Sequence, residues 1–186
     1  MKDNADLFYI QQIKAGNTQA FAPIVHKYQS IVLTIIIKIV ENREDAEDIA
    51  QEVFIKVFKS LGQFKEEAAF STWLYRIAYN TTLSELRKRK FTFVSVDDGL
   101  LAVDEPMQNE DEEQNLKEQL QYLDKALKKL APDEAFLIAL YYIDKQSVEN
   151  ISQISNLSVS NVKVKLYRIR KKLIALINTF AQDEDK

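Results

Sequence analysis

A cluster of cations near the carboxyl end of the chain has the clearest chemical meaning. Six of them fall within ten residues: Lys163, Lys165, Arg168, Arg170, Lys171 and Lys172. No Asp or Glu occurs between Ser158 and Phe180. On one helix such a row can neutralise DNA phosphates, while the polar residues Ser160 and Asn161 at its start reach base edges. A solvated charged face is the plainer interpretation, because Lys and Arg on helices usually face water.

The segment just before these cations has the layout of a helix-turn-helix. Ser147 can cap a first helix, Asn156 can adopt the positive φ that the turn needs, and Ser158 can cap the second helix. Four apolar residues have the spacing that holds two short helices together: Ile151, Ile154, Leu157 and Val162. With this turn upstream, we interpret the cations as part of a DNA-binding helix. By itself the pattern suits a repressor or a response-regulator output domain equally well.

Residues 70–90 carry a second mixed pattern. Trp73, Leu74 and Ile77 are expected in a core, as aromatic and aliphatic residues usually are. Four neighbouring residues cannot all face inward as well: Tyr75, Arg76, Tyr79 and Asn80. A run of four cations follows them at 87–90. A polar and aromatic face of this kind suits single-stranded DNA, with cations along its backbone and bases stacked or extruded.

A third pattern is acidic. Asp45, Glu47, Asp48 and Glu52 make one helix strongly acidic on its polar side. Because the helix dipole favours acids near a helix N-terminus, stabilisation of that helix would by itself explain them.

The elements that must position these residues are all helices. Only three Gly and three Pro occur in 186 residues, and no alternating strand pattern of useful length is present. Apolar spacing and capping residues predict helices at 6–15, 18–40, 43–61, 71–90, 115–130, 132–143, 147–155 and 158–180. Pro23 is expected to kink the second of these near its start.

Charge divides the chain into two domains. Residues 1–90 hold 13 Lys/Arg against 11 Asp/Glu, residues 91–122 hold one against nine, and residues 123–186 hold 11 against eight. The acidic, aperiodic middle predicts a flexible linker. The expected fold is all-α, with one small helical domain at 1–92, an acidic linker at 93–114 and a helix-turn-helix domain at 115–186.

Several classes of protein are disfavoured. There is no cysteine, so disulfides, thiolate metal sites and cysteine catalysis are excluded. The one histidine, His26, has no catalytic arrangement near it and no Gly-rich phosphate loop exists, so we expect no enzyme activity, cofactor or metal. The acidic N-terminus does not suit a secretory signal, and the apolar run 31–40 is too short to span a membrane, so it is expected to be a buried helix.

Two strings in the first half carry a specific resemblance. DAEDIAQEVFIKVF at 45–58 resembles the polymerase-binding helix of sigma factors of the extracytoplasmic-function group. FSTWLYRIAYN at 70–80, followed by LRKRK at 86–90, resembles their −10 promoter-melting helix. The motifs also follow the family order into the helix-turn-helix, and the resemblance covers nearly the whole chain apart from the linker and tails. Two departures are Ser84, where the family often has Asp, and Asn156, where it often has Gly.

The resemblance implies a function and a set of contacts. The chain would be a cytoplasmic sigma factor that binds core RNA polymerase through the β′ and β subunits, recognises promoter DNA and is held by an anti-sigma factor, in some conditions at the inner membrane. Polymerase contacts would be Asp48, Gln51 and Glu52. Contacts to the −10 element would be Phe64, Lys65, Tyr75, Arg76, Asn80, Arg87 and Lys88.

Within that set, the loop around Gln63, Phe64 and Lys65 would hold a flipped base near Asn80. Contacts to the −35 element would be Ser158, Ser160, Asn161, Lys163, Lys165, Arg168, Arg170 and Lys171. A plain helix-turn-helix repressor would need its own oligomerisation face, and the first-half motifs argue against it.

Overall fold

The computed structural model describes residues 4–40, 42–92 and 112–184. These ranges contain eight α-helices: α1 Asn4–Lys14, α2 Phe21–Ile37, α3 Arg43–Ser60, α4 Phe70–Thr92, α5 Glu112–Lys128, α6 Pro132–Tyr142, α7 Val148–Ser155 and α8 Val159–Glu184. Short 3₁₀ turns lie at Thr18–Ala20 and Leu61–Gln63. No strand occurs in the described ranges, and the predicted all-α class is confirmed. Of the predicted linker, 93–111 lie outside the described residues, and 112–114 belong to α5.

The region around Pro23 differs from the expectation. A 3₁₀ turn, Thr18–Ala20, precedes α2, which begins at Phe21. Pro23 is therefore the third residue of α2. The first turn of a helix has no internal partner for its N–H groups, so proline costs no hydrogen bond there. The expected interruption by Pro23 is replaced by a separate short turn before the helix.

The helix α2 is the core helix of the first half. By length and mean hydropathy alone, the 20 residues Thr18–Ile37 could cross a membrane, so the apolar stretch begins well before residue 31. In the fold, five side chains of α2 are buried: Ile24, Tyr28, Val32, Ile35 and Ile36. The expectation of a buried helix agrees with this placement.

Helix α3 packs between α2 and α4 and begins where its sequence predicts. The Asn42 Oδ1 atom accepts a hydrogen bond from the Glu44 N–H at 2.8 Å, which caps the helix. The inward face consists of the residues that its spacing indicated: Ala46, Ile49, Ala50, Val53, Phe54 and Val57. Phe58 follows Phe54 at the same helical spacing, which by itself predicts a core position, but it is 38% exposed.

The second half contains the helix-turn-helix, α7 and α8. The Ser147 Oγ atom accepts from the Asn150 N–H at 3.1 Å, and the Ser158 Oγ atom accepts from the Asn161 N–H at 3.2 Å. Asn156 lies between the helices with a φ of 58°. All three predicted roles in the turn are confirmed. Buried Ile151, Ile154 and Val162 supply the contact between the helices.

The two halves pack against each other through α4, which contacts both α6 and α7. The Tyr75 hydroxyl donates a hydrogen bond to the Asp144 carboxylate beyond the end of α6. Nearby, the Tyr79 ring lies 5.2 Å from the Phe136 ring, edge to face. Helix α4 therefore serves two surfaces, one facing the other half and one facing outward.

Candidate functional site

The outward face of α3 combines acids with apolar side chains. Asp48 and Gln51 are exposed, and Glu52 is half-exposed with its Oε1 atom 3.3 Å from the Lys56 Nζ atom. At 100° per residue these three side chains share one helical face. The helix therefore presents its predicted docking residues away from the core.

Sequence reasoning missed two members of this face. Ile55 is 39% exposed and lies one turn beyond Gln51 and Glu52, and Phe58 continues the same stripe. The Phe58 ring is 5.0 Å from the Phe21 ring, so one side of it is packed. Helical spacing of three and four residues, followed from Asp48 along α3, would have identified both residues. Exposed apolar groups beside acids are typical of a protein-binding surface.

Two residues predicted to meet at a flipped base do line one groove. Gln63 and Asn80 face a space of about 560 Å³ between the end of α3 and the middle of α4. Its wall also includes two cations and several hydroxyls: Lys56, Lys59, Ser60, Thr81 and Ser84. Such a wall offers hydrogen bonds to a base and positive charge to a phosphate.

The other two residues of that loop face elsewhere. Phe64 and Lys65 line a second cavity, also of about 560 Å³, with Trp73 and Arg76, and Gln63 borders this cavity too. Gln153 and Asn156 of the helix-turn-helix close its far side. The loop thus lies between the groove with Asn80 and a cavity toward the second half of the chain, and Gln63 borders both.

Two of the predicted −10 contacts are buried in this arrangement of the chain. Phe64 is 3% exposed, with its ring 5.5 Å from Phe70 and 5.3 Å from Trp73. Tyr75 is also 3% exposed, because it packs against Tyr28 and hydrogen bonds Asp144. Burial, reinforced by the Asp144 charge, raises the pKa of the Tyr75 phenol. Arg76 and Asn80, one and five residues later, are exposed.

The end of α4 carries the predicted basic residues. Arg87 and Lys88 are exposed, and the Lys88 Nζ atom lies 2.8 Å from Glu85 Oε1. That hydrogen bond and the Glu85 charge raise the pKa of Lys88 above its ordinary value. These positions suit contacts to a DNA backbone.

The outward face of α8 is partly apolar. Ser160, Asn161, Lys163 and Arg168 are exposed, as predicted for a recognition helix. Val164 and Tyr167, which sequence reasoning did not select, are 44% and 54% exposed on the same side. Their spacing from Ser160, four and seven residues, is the signal that could have found them.

The cations on the flanks of α8 have partners inside the domain. Lys165 pairs with Asp133, and the Lys172 Nζ atom lies 2.7 Å from Glu134 Oε2. The Arg170 guanidinium lies 5.5 Å from the Tyr141 ring centroid and also contacts Tyr142. The six cations are therefore not equivalent, and the sequence did not show this.

No cluster of three potential metal ligands occurs among the described residues. His26 lies exposed on α2.

Comparisons with known proteins agree with this arrangement. The family model for Sigma-70 region 2 matches residues 24–92, and the model for Sigma-70, region 4 matches residues 120–173. The ECF RNA polymerase sigma factor SigW of Bacillus subtilis is 35% identical over 174 residues, which cover 88% of this chain and 92% of SigW.

Two solved structures have the same fold. CnrH, in complex with the cytosolic domain of CnrY, matches with a TM-score of 0.69 and 23% identity, over 94% of this chain and 98% of that one. The sigma factor RpoE of Bartonella quintana, in complex with the anti-sigma factor NepR, matches with a TM-score of 0.68 and 21% identity, over 87% and 98%.

Proposed function

Because the chain belongs to the sigma-70 family of RNA polymerase sigma factors, in its extracytoplasmic-function group, we propose that it binds core RNA polymerase and directs promoter recognition and melting. Residues 1–92 would dock on the polymerase and engage the −10 element. Residues 115–186 would engage the −35 element, and residues 93–114 would connect the two. Proteins of this family are not enzymes in general.

The groove shared by Gln63 and Asn80 is the observation that carries the proposal. It brings together two side chains that are 17 positions apart in the chain and that can each hydrogen bond the edge of a base. Lys59 adds positive charge to its wall, while Lys56 is paired with Glu52. We propose that a base extruded from the non-template strand enters this groove, so that promoter melting and sequence selection occur together.

Docking on the polymerase would use α3. Asp48, Gln51 and Glu52 would meet a basic surface of the β′ subunit, and Ile55 would add apolar contact. Charge complementarity gives such an interface its orientation and its rate of association, while buried apolar area contributes to affinity.

Binding to the −35 element would use the start of α8. Ser160, Asn161 and Lys163 would reach base edges, and Arg168 and Lys171 would contact phosphates. The hydroxyl of Ser158 is engaged as the helix cap, so its part would be to orient the helix.

Regulation by an anti-sigma factor is proposed for this chain as well, since the solved relative RpoE is in complex with one. The protein would then act in the cytoplasm and be inactive while that partner holds it.

The docking proposal is tested by charge reversal. Asp48→Arg and Glu52→Arg should each weaken binding to core polymerase at least about tenfold, because repulsion replaces attraction. Binding would be measured with full-length protein and purified core polymerase, and helical content by circular dichroism. Glu118→Arg, an exposed acid on α5, makes the same change in charge and should bind normally.

Normal polymerase affinity in both α3 reversals would remove the docking assignment. Transcription in vitro from a promoter library then tests the rest. Tight binding to duplex DNA without polymerase, and no transcription with it, would identify a repressor instead.

A further inference from the structure

Helix α1 reaches the loop that carries Gln63. The Lys14 Nζ atom, on the last residue of α1, donates a hydrogen bond to the Phe64 carbonyl oxygen at 2.9 Å. The same ammonium lies 6.0 Å from the centroid of the Phe64 ring. The two residues are 50 positions apart, so this contact is tertiary and not a local feature of either element.

Phe64 attaches this loop to the core. Its buried ring packs with Phe70 and Trp73, and its N–H donates to the Leu61 carbonyl at 3.1 Å. The residue before it, Gln63, borders both the groove with Asn80 and the opposite cavity, and the residue after it, Lys65, lines the opposite cavity alone. The Phe64 carbonyl belongs to the peptide plane that joins Phe64 to Lys65. Fixing that plane restricts how the chain on either side can turn.

The helix that carries Lys14 is anchored to the core, although Lys14 itself is exposed. At the other end of α1, the Asp6 carboxylate is 3% exposed and accepts hydrogen bonds from Lys27 Nζ and from the Tyr28 hydroxyl, both at 2.6 Å. Between the two ends, Ile10 is fully buried. Helix α1 is thus anchored to α2 along its length, and Lys14 extends from a fixed support.

We propose that Lys14 is a positioning residue for −10 recognition. It holds the Phe64 carbonyl, and through it the loop, so that Gln63 faces the groove shared with Asn80. This inference rests on the proposed function of that groove. Lys14 itself does not contact DNA.

The test uses full-length protein assembled with core polymerase. Lys14→Met removes the donor and keeps the aliphatic stem, Lys14→Arg keeps a cationic donor, and Lys129→Met is a control for the loss of one exposed cation. A library selection with wild-type holoenzyme defines the preferred non-template −10 strand. Affinities for that strand and for its single-base variants then give a selectivity ratio for each protein.

Lys14→Met should lower the selectivity ratio about threefold to tenfold, the effect of losing one hydrogen bond of ordinary strength, because Lys14 is exposed to water. Lys14→Arg should keep most of the wild-type selectivity ratio, and Lys129→Met should have the same ratio as wild type. Affinity for core polymerase should be unchanged in all three. Hydrogen exchange at the amides of residues 62–69 should be faster in Lys14→Met than in wild type, whatever the loop binds.

An equally selective Lys14→Met, or unchanged exchange in the loop, would overturn the inference. The inference would also be overturned if Lys14→Met lost as much affinity for core polymerase as it lost selectivity for −10 DNA. That result would indicate a general effect of the substitution on the fold. If the wild-type holoenzyme selects no −10 sequence, both the proposed function and this inference are contradicted. If the wild-type holoenzyme is selective and Lys14→Met is equally selective, only the inference about Lys14 is contradicted.

Discussion

At the scale of single residues, the cations of α8 differ in what they already contact. Lys165 pairs with Asp133, so binding a phosphate would require that pair to separate. Arg168 is exposed, and no acidic or aromatic partner is recorded for it within the described residues. The sequence alone assigned both residues the same role as phosphate contacts, and the fold separates them.

A salt titration distinguishes the two cations. Arg168→Ala should reduce the slope of log affinity against log salt by about one unit, the contribution of one phosphate contact. Lys165→Ala should reduce it by less, because Asp133 already neutralises that lysine. Binding of holoenzyme to −35 DNA would be measured at several salt concentrations for both variants. Equal changes in slope would show that the Lys165 pair opens freely on DNA.

At the scale of elements, three polar side chains build the helix-turn-helix. Ser147 and Ser158 cap the two helices, and Asn156 provides the left-handed residue between them. Each satisfies a backbone requirement that a helix end imposes, so the geometry of the recognition helix depends on residues that need not touch DNA.

Removing one cap tests this division of roles. Ser147→Ala should lower the free energy of unfolding by ~1 kcal/mol, since an N–H at the start of α7 loses its acceptor. Ser160→Ala is the matched control, because Ser160 is exposed on α8 and caps no helix. It should leave stability unchanged and alter −35 preference. Urea unfolding measures the first effect, and equal stability losses in the two variants would contradict the assignment.

At the scale of the whole molecule, the two halves meet at the hydrogen bond between Tyr75 and Asp144. The apolar contact of Tyr79 with Phe136 lies nearby and completes the seam between the halves. Burial raises the pKa of Asp144, although hydrogen bonds from Gln146 and Tyr75 oppose the increase. The folded chain therefore binds a proton at Asp144 more tightly than the unfolded chain does. Asp144 favours folding below its ordinary pKa of 3.8, and that contribution is lost as pH rises through the higher folded value.

Asp144→Asn should therefore gain stability relative to wild type as pH rises from about 4 to 7, because asparagine does not titrate. The amide retains an oxygen that can accept from Tyr75. Thermal midpoints of both proteins across this range measure the difference between them. A difference that stays constant with pH would show that Asp144 is not desolvated, and that the seam is open in solution.

Much of the fold follows from local sequence. The helix starts at Asn42, Ser147 and Ser158 were predictable because a cap depends on residues two or three positions away. The turn at Asn156 was predictable for the same reason, since few residues tolerate a positive φ. The family was visible in two strings of the first half, and the comparisons confirm it.

Tertiary structure alone decided which candidates reach the surface. Helical spacing says which side chains share a face, but not which neighbouring helix covers that face. Tyr75 is buried between Tyr28 of α2 and Asp144 of the second half, and Phe64 is buried because Phe70 and Trp73 surround it. Lys165 is paired because α6 brings Asp133, 32 positions away, beside it. These contacts are long-range, so the periodicity of one helix contains no information about them.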